Sequence, residues 1–364
     1  MFSNIYSGKK VLITGHTGFK GSWLTAWLLK LGAKVVGVSD GIPTNPSMFE
    51  ELGLATKVQH NLVDIRDFEK INNIVTRERP DYLFHLAAQA IVSTSYADPL
   101  TTVTTNVIGT LNVLESLRRL NHECMAIIIT SDKAYDNVEQ IWGYKENDSM
   151  GGKDIYSGSK GAAELVIKSY HHSYFKSADS NVSMCVARAG NVIGGGDWAK
   201  DRIIVDAMNA WSEGESVEIR SPNATRPWQH VLEPLSGYLR LGELLSKDKA
   251  MAGEGFNFGP AAEQNATVHQ LLIESCAHWE LDPSKGIVIT DNITFHEAGL
   301  LKLNCDKALS VLSWKANLGY RDTVRFTNEW YLGYYGGQSM YEKTLMQIRE
   351  YETIAKSRNL KWTE

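Results

Sequence analysis

The chain has 364 residues, 43% of them hydrophobic, and carries 37 lysine and arginine side chains against 42 aspartates and glutamates, a formal net charge of −5. That balance excludes a broadly basic nucleic-acid binder, and at roughly 150 residues per domain the length predicts two units, or one large α/β body with an elaborated lobe. Cys124, Cys185, Cys276 and Cys305 are scattered without CxxC spacing, which excludes a disulfide framework or a cysteine zinc site and suits a reducing cytoplasm.

In chain order, Lys10–Thr14 (KVLIT) predicts a buried strand, 22–31 a helix ended by Gly32, and 34–38 a second strand. Gln59–Leu62 predicts a third strand, 68–77 a helix, 82–86 a fourth strand and 99–120 a long helix. A fifth strand over 126–130, a long helix over 156–175 and a sixth strand over 182–187 complete the alternation. Strands and helices alternating at this pitch predict an α/β fold, a Rossmann-like doubly wound parallel sheet. Past Arg188 the texture changes to Gly194-Gly195-Gly196 and polar, tryptophan-bearing loops at 197–202 and 221–229. This predicts a smaller, mixed α/β C-terminal lobe. No apolar run reaches the roughly 18 residues of a membrane span, and Met1 to Lys10 lacks the apolar stretch of a secretory leader. A cytoplasmic protein with no membrane partner is expected.

The first strand runs into Thr14-Gly15-His16-Thr17-Gly18-Phe19-Lys20-Gly21, a G-x-x-G-x-x-G turn opening a helix. Gly15 suits the tight turn, Gly18 the approach of a pyrophosphate and Gly21 close helix–sheet packing, while the helix N-terminus offers free N–H groups. A dinucleotide is therefore expected on Gly15, Thr17, Gly18, Phe19, Lys20 and Gly21. A carboxylate at the end of the second strand selects NAD over NADP; Asp40 stands near the required distance beside Ser39, and no arginine follows directly. Asp64 and Ile65, after the third strand, are candidates to bracket the adenine, with a helix N-cap the competing role for Asp64. The expected division is 1–187 with return segments at about 228–258 for NAD binding, 188–227 and 259–340 for a substrate-binding lobe, and 341–364 for a polar helix and tail.

Tyr156-x-x-x-Lys160 places a phenol and an ammonium on one helical face. A lysine there, with a nicotinamide cation, is expected to lower the tyrosine pKa so that the phenol exchanges a proton near neutral pH. The fifth strand ends in Thr130-Ser131-Asp132-Lys133, at the edge where doubly wound sheets meet their ligands. Ser131 can hydrogen-bond a reacting hydroxyl, and Asp132 and Lys133 set an acid beside a base, more groups than simple hydride transfer needs.

These residues, with Leu86-Ala87-Ala88, resemble the extended short-chain dehydrogenase/reductase superfamily over nearly the whole chain. Within it, the segments 15–21, 130–133, Trp142-Gly143-Tyr144, Gly194-Gly195-Gly196-Asp197-Trp198 and Arg226-Pro227-Trp228-Gln229-His230-Val231 are similar to the CDP-glucose 4,6-dehydratase family. The resemblance implies a lyase with tightly bound, regenerated NAD. It implies catalytic roles for Ser131, Asp132, Lys133, Tyr156 and Lys160, with Asp132 as acid for the sugar C6 hydroxyl and Lys133 as C5 base. It adds Leu86, Ala87, Ala88 and Asn106 to the cofactor site. It assigns the substrate, CDP-glucose, to Gln89, Ser93, Asn191, Trp198, Arg202, Arg220, Arg226, Gln229 and His230. Ser93 stands where relatives commonly carry arginine, and Ile155 and Val205 where proline is usual. The long helices imply a homodimer or dimer of dimers through a helix bundle, and the reaction implies deoxysugar biosynthesis for lipopolysaccharide O-antigen. A 4-epimerase, a dehydratase for another nucleotide sugar and a non-catalytic NAD-binding regulator are the competing readings. No HExxH, DxDxDG or Cys/His cluster occurs, so no metal is expected. His16 reads as a solvent-facing loop residue, and Trp330, Tyr331, Tyr334 and Tyr335 as core or interface packing.

Overall fold

The computed structural model describes residues 1–290 and 300–364; positions 291–299 of the expected lobe lie outside the described residues. Seven strands form one parallel sheet: β1 (Lys10–Thr14), β2 (Lys34–Ser39), β3 (Gln59–Leu62), β4 (Tyr82–His85), β5 (Cys124–Ile129), β6 (Val182–Ala189) and β7 (Gly255–Phe258). Their order is β7-β6-β5-β4-β1-β2-β3. Alternating side chains feed two separate cores, as the period of 2 requires. Val11 and Ile13 of β1, Met125 and Ile127 of β5, and Cys185 and Ala187 of β6 enter one; Leu12, Ala126, Ile128, Met184 and Val186 enter the other.

The second core is closed by α2 (Phe68–Glu78), α3 (Thr110–Arg118) and α4 (Ile155–Tyr170) through Ile71, Ile74, Val113, Leu117 and Ile167. The first is closed by α1 (Phe19–Lys30) and α5 (Leu232–Lys247). The expected helix over 99–120 is built from Pro99–Val103, a looser π-type stretch Thr104–Gly109, and α3. The helix α1 starts at Phe19, three residues before the expected 22 and directly after Gly18. The seventh strand lies beyond the six expected from sequence: β7 is four residues long and exists through its pairing with β6.

The C-terminal segment is no solvated tail. The helix α6 (Met340–Ser357) packs on α1, where Trp27 Nε1 donates to Glu352 Oε1 at 3.0 Å and Lys30 pairs with Glu352 at 2.6 Å. Trp362 is fully buried, stacked on Phe2 and Tyr351 at centroid distances of 5.2 and 5.6 Å. Among the described residues, no helix is long and apolar enough to cross a membrane.

Candidate functional site

The C-terminal ends of β1, β2, β4, β5 and β6 deliver their loops to one edge of the sheet, and the order reverses between β1 and β4. After β1, Gly15 takes φ +75°, and a Cβ there would stand 2.7 Å from Ala87 N; a Cβ on Gly21 would stand 2.1 Å from Gly15 O. Backbone against backbone leaves neither position room for a side chain. A Cβ on Gly18 would meet only Gly15 O, at 3.4 Å, so the protein itself leaves that face of the loop open at the start of α1. Thr17 Oγ1 donates to Gly41 O at 2.7 Å, tying the loop to the segment after β2. Phe19 is half-buried against the first core.

His16 corrects the solvent-facing expectation. It is fully buried, with Nε2 2.7 Å from His60 Nδ1 and Nδ1 2.9 Å from Ser39 Oγ, and its ring fills the space over Gly37. Burial lowers its pKa to about 4, with His60 adding to the effect. Ser39 Oγ is therefore committed inward, whereas Asp40 is exposed at the end of β2. Asp64 accepts from the Arg66 guanidinium at 2.6 and 2.8 Å, which lowers its pKa. Ile65 packs against Gly109, whose Cβ would clash with it at 2.5 Å.

After β4, Leu86, Ala87 and Ala88 are half-buried, and Thr14 O accepts from Leu86 N at 3.0 Å. Buried Asn106 accepts from Gln89 N at 2.9 Å and donates to Gln89 O and Ser159 Oγ, at 3.1 and 2.9 Å. It thus joins this loop to α4. The Gln89 amide is spent within its own neighbourhood, on Ile91 and Thr102.

Beyond β5, Ser131 Oγ donates to Asp132 Oδ1 at 2.9 Å and accepts from Lys133 N at 3.2 Å. Asp132 is 4% exposed. Burial raises its pKa, opposed by Lys133, Ser131 and Lys20. Tyr156 lies near the start of α4, and its phenol is within reach of Ser131. Lys160 Nζ stands 5.9 Å from the Tyr156 ring centre. Burial, with the Asp132 charge, pushes Tyr156 up to about 12, against the smaller pull of Ser131 and Arg202. Burial also lowers Lys160 to about 8, reinforced by Lys20; Lys20 is itself lowered to about 8 by burial and Arg202.

Asp132 forms one wall of a cavity whose other walls include Gly190, Pro227, Gln229, Gly259 and Leu303. The Gln229 amide donates to Phe258 O at 3.2 Å, and its Oε1 is buried without a partner. Asn191 follows Gly190 and is half-buried. The Arg202 guanidinium lies 3.2 Å from buried Asp197. Ser93 Oγ donates to Asp201 at 2.5 Å. Arg226 is half-buried and Arg220 exposed. Trp198 and His230, both expected at the substrate, are enclosed by aromatic side chains. Trp198 packs among Trp330, Tyr331 and Tyr334, with centroids 5.0–6.1 Å away. His230 is enclosed edge-on by Trp23 and Phe326, and burial lowers it to about 3. Gly195 belongs to the same packing, since a Cβ there would enter the Trp330 ring.

Sequence reasoning missed the buried network behind these groups. Arg188 of β6 forms a two-point ion pair with Glu164 of α4, at 2.7 and 2.9 Å. Glu164 follows Lys160 by four residues, a spacing that could have pointed to it. Among the described residues, no group of three or more His, Cys, Asp or Glu side chains could hold a metal ion.

Comparison with known proteins follows the same lines. The family described as GDP-mannose 4,6 dehydratase matches residues 12–327. A CDP-glucose 4,6-dehydratase of Salmonella typhimurium is 43% identical over 351 residues, 96% of this chain and 97% of the relative. A CDP-paratose 2-epimerase of Salmonella typhi is 30% identical, covering 88% of this chain and 98% of its own. The dTDP-glucose 4,6-dehydratase DesIV of Streptomyces venezuelae, solved with NAD bound, superposes with a TM-score of 0.76 at 19% identity, covering 91% of this chain and 99% of that one.

Proposed function

The chain belongs to the GDP-mannose 4,6-dehydratase family, and from that premise we propose that it is an NAD-dependent hydro-lyase converting CDP-glucose to CDP-4-keto-6-deoxyglucose and water. The choice of sugar nucleotide rests on the 43% identity to the Salmonella CDP-glucose enzyme. The observation that carries dehydration, rather than epimerisation alone, is Asp132: a carboxyl buried in the cavity wall, with its pKa raised, adjoining Ser131 and Lys133. A 4-epimerase needs no acid for a C6 leaving group.

The open Gly15–Gly21 loop at the start of α1 fits a dinucleotide diphosphate, with exposed Asp40 placed for the adenosine ribose and Leu86, Ala87 and Ala88 along the next loop. Asp64 and Ile65, already engaged by Arg66 and Gly109, would meet the adenine only along their free edges. When bound, NAD supplies the hydride acceptor for C4 and the hydride donor for C6, and ends as it began. The protein's own groups handle the protons. Tyr156 takes the proton from O4 while Ser131 holds that oxygen; because burial opposes the phenolate, this step requires the positive charge of Lys160 and of the oxidised cofactor. The new C4 ketone acidifies C5–H, Lys133 removes that proton, and Asp132 protonates the departing C6 hydroxyl, which leaves as water. A proton returned to C5 completes the product.

Arg202 and Arg226 are the diphosphate candidates, with Asn191 and Gln229 closer to the sugar. Gln89 and Asn106 shape the cofactor loop from behind. We assign cofactor binding to 1–187 with 228–258, and substrate binding to 188–227 and 259–340. The helix-bundle dimer is supported by exposed Leu100, Val103, Ile108 and Leu165 on the two long helices. Work in the reducing cytoplasm is supported by four free cysteines.

The test is incubation with CDP-glucose, dTDP-glucose, GDP-mannose and UDP-glucose in deuterated water. A keto product one water lighter, with deuterium at C5, is expected from CDP-glucose. Inversion at C4 with no deuterium at C5 would replace the reading with an epimerase.

A further inference from the structure

Behind the catalytic groups lies a continuous chain of buried polar side chains that the proton transfers above do not use. Glu164, one turn beyond Lys160 on α4, holds Arg188 through both carboxylate oxygens and accepts from Thr130 Oγ1 at 2.5 Å. The other guanidinium nitrogen of Arg188 donates to Tyr135 Oη at 2.7 Å and to Glu146 O at 3.1 Å. Tyr135, two residues past Lys133, donates in turn to Asn257 Oδ1 of β7 at 2.8 Å. Asn257 Nδ2 donates to Tyr144 O and Asn304 O, at 2.9 and 3.1 Å. Tyr144 stacks on Tyr135, with centroids 5.2 Å apart, and its backbone pairs with Lys302 O and Asn304 N. The segment 301–303 is itself a wall of the cavity beside Asp132.

We propose that Glu164, Arg188, Tyr135 and Asn257 are positioning residues: together they set the Ser131–Lys133 turn against the Tyr156–Lys160 helix and couple both to the 301–304 rim of the substrate cavity. The proposal rests on the dehydratase reading for its kinetic consequence. Each side chain is 6% exposed or less, and every link joins a different element: α4, β6, the turn after β5, β7 and the rim. A cavity rim that seats the sugar and a turn that carries the acid are thereby held in one register. Misplacing a reacting group by about 1 Å costs as much as 100-fold in rate, and a fully satisfied buried network is a means of avoiding that.

Tyr135→Phe is the discriminating variant. It keeps the ring and its stack on Tyr144 but deletes the hydroxyl that bridges Arg188 to Asn257. The expected result is a fall in kcat of about tenfold with KM for the nucleotide sugar within about twofold. Faster amide hydrogen exchange is expected at 131–136 and 302–304, with the α1–β2 region unchanged. Asn257→Leu breaks the same bridge from the other side and should reproduce the split. Rates are taken on whichever of the four nucleotide sugars the unmodified enzyme converts, so a failure with CDP-glucose refutes the substrate reading alone. The exchange measurement needs no substrate. Unchanged exchange at 302–304 in a folded Tyr135→Phe protein overturns the coupling, and unchanged kcat overturns the positioning role.

Discussion

Replacing Asp132 by Asn removes a proton donor while leaving its surroundings almost intact. The amide has the carboxyl's shape, and its Oδ1 can still accept from Ser131 Oγ, which stands 2.9 Å away. The C4 oxidation, which we assign to Ser131 and Tyr156, should therefore proceed within about threefold of the wild-type rate. Elimination should not. A positioned general acid contributes about 10²–10⁴-fold, and at 4% exposure water has little access to substitute for Asp132. A loss of about 10³-fold is expected, or about 4 kcal/mol at ~1.4 kcal/mol per tenfold. The assay is a single turnover with enzyme in excess over CDP-glucose, following NADH absorbance and quenching for product. Wild type should show a transient; Asp132→Asn should show NADH that forms and stays. The pH dependence gives a second check. Burial raises the Asp132 pKa, so its acid form persists above the usual carboxyl range, and elimination falls as pH rises through that raised value. That limb should disappear in the Asn variant. Product release within a few-fold of wild type, or loss of NADH formation itself, would refute the assignment.

Lys133→Ala should likewise permit C4 oxidation but block removal of the C5 proton, so deuterium should not enter C5; product at near wild-type rate would end that role. Gly21→Ala places a Cβ 2.1 Å from Gly15 O and 2.7 Å from His16 Cα; shifting backbone to fit it costs about 1–3 kcal/mol, read as a lower Tm and at least about tenfold weaker NAD binding by titration calorimetry. Glu233 is buried under Asn317, Leu318 and Tyr351, and burial raises it from 4.5 to about 7. Its folded pKa exceeds the unfolded one, so its contribution is present below the unfolded value and lost as pH rises through about 7. Urea unfolding at about pH 5 and about pH 8 should therefore show a stability loss that Glu233→Gln reduces by up to about 3 kcal/mol.

The parts of this molecule that were legible in the sequence are those whose geometry is local. The strands β1, β2, β4, β5 and β6 announce themselves as apolar runs because a parallel sheet buries both faces, whereas the polar, mostly exposed Gln-His-Asn-Leu of β3 carries no such signal, and the turn at Gly15–Gly21 is written in residues that must lack a Cβ. The Tyr156–Lys160 and Ser131–Lys133 groups sit where a strand end and a helix start must put them. What stayed hidden depends on partners far along the chain. The strand β7 is a Gly-Phe-Asn-Phe tetrapeptide whose extended form comes from lying beside β6. The 341–364 segment reads as polar by composition, yet Glu352 is drawn in by Trp27 and Lys30, and Trp362 by Phe2. His16, Trp198 and His230 carry functional chemistry by residue type, but burial against His60, Trp330 and Trp23 decides their place. The same logic applies within the site. The spacing of Tyr156 and Lys160 predicts a shared face but not a phenol raised to about 12, because desolvation is a property of everything packed around a group, not of its neighbour in sequence. Arg188 shows the converse: a charged residue inside an apolar strand is a position the sequence cannot satisfy locally, so it must be answered by a distant carboxylate. An arginine in a fully buried strand is therefore itself a legible signal, and Glu164, one turn past Lys160, is its answer.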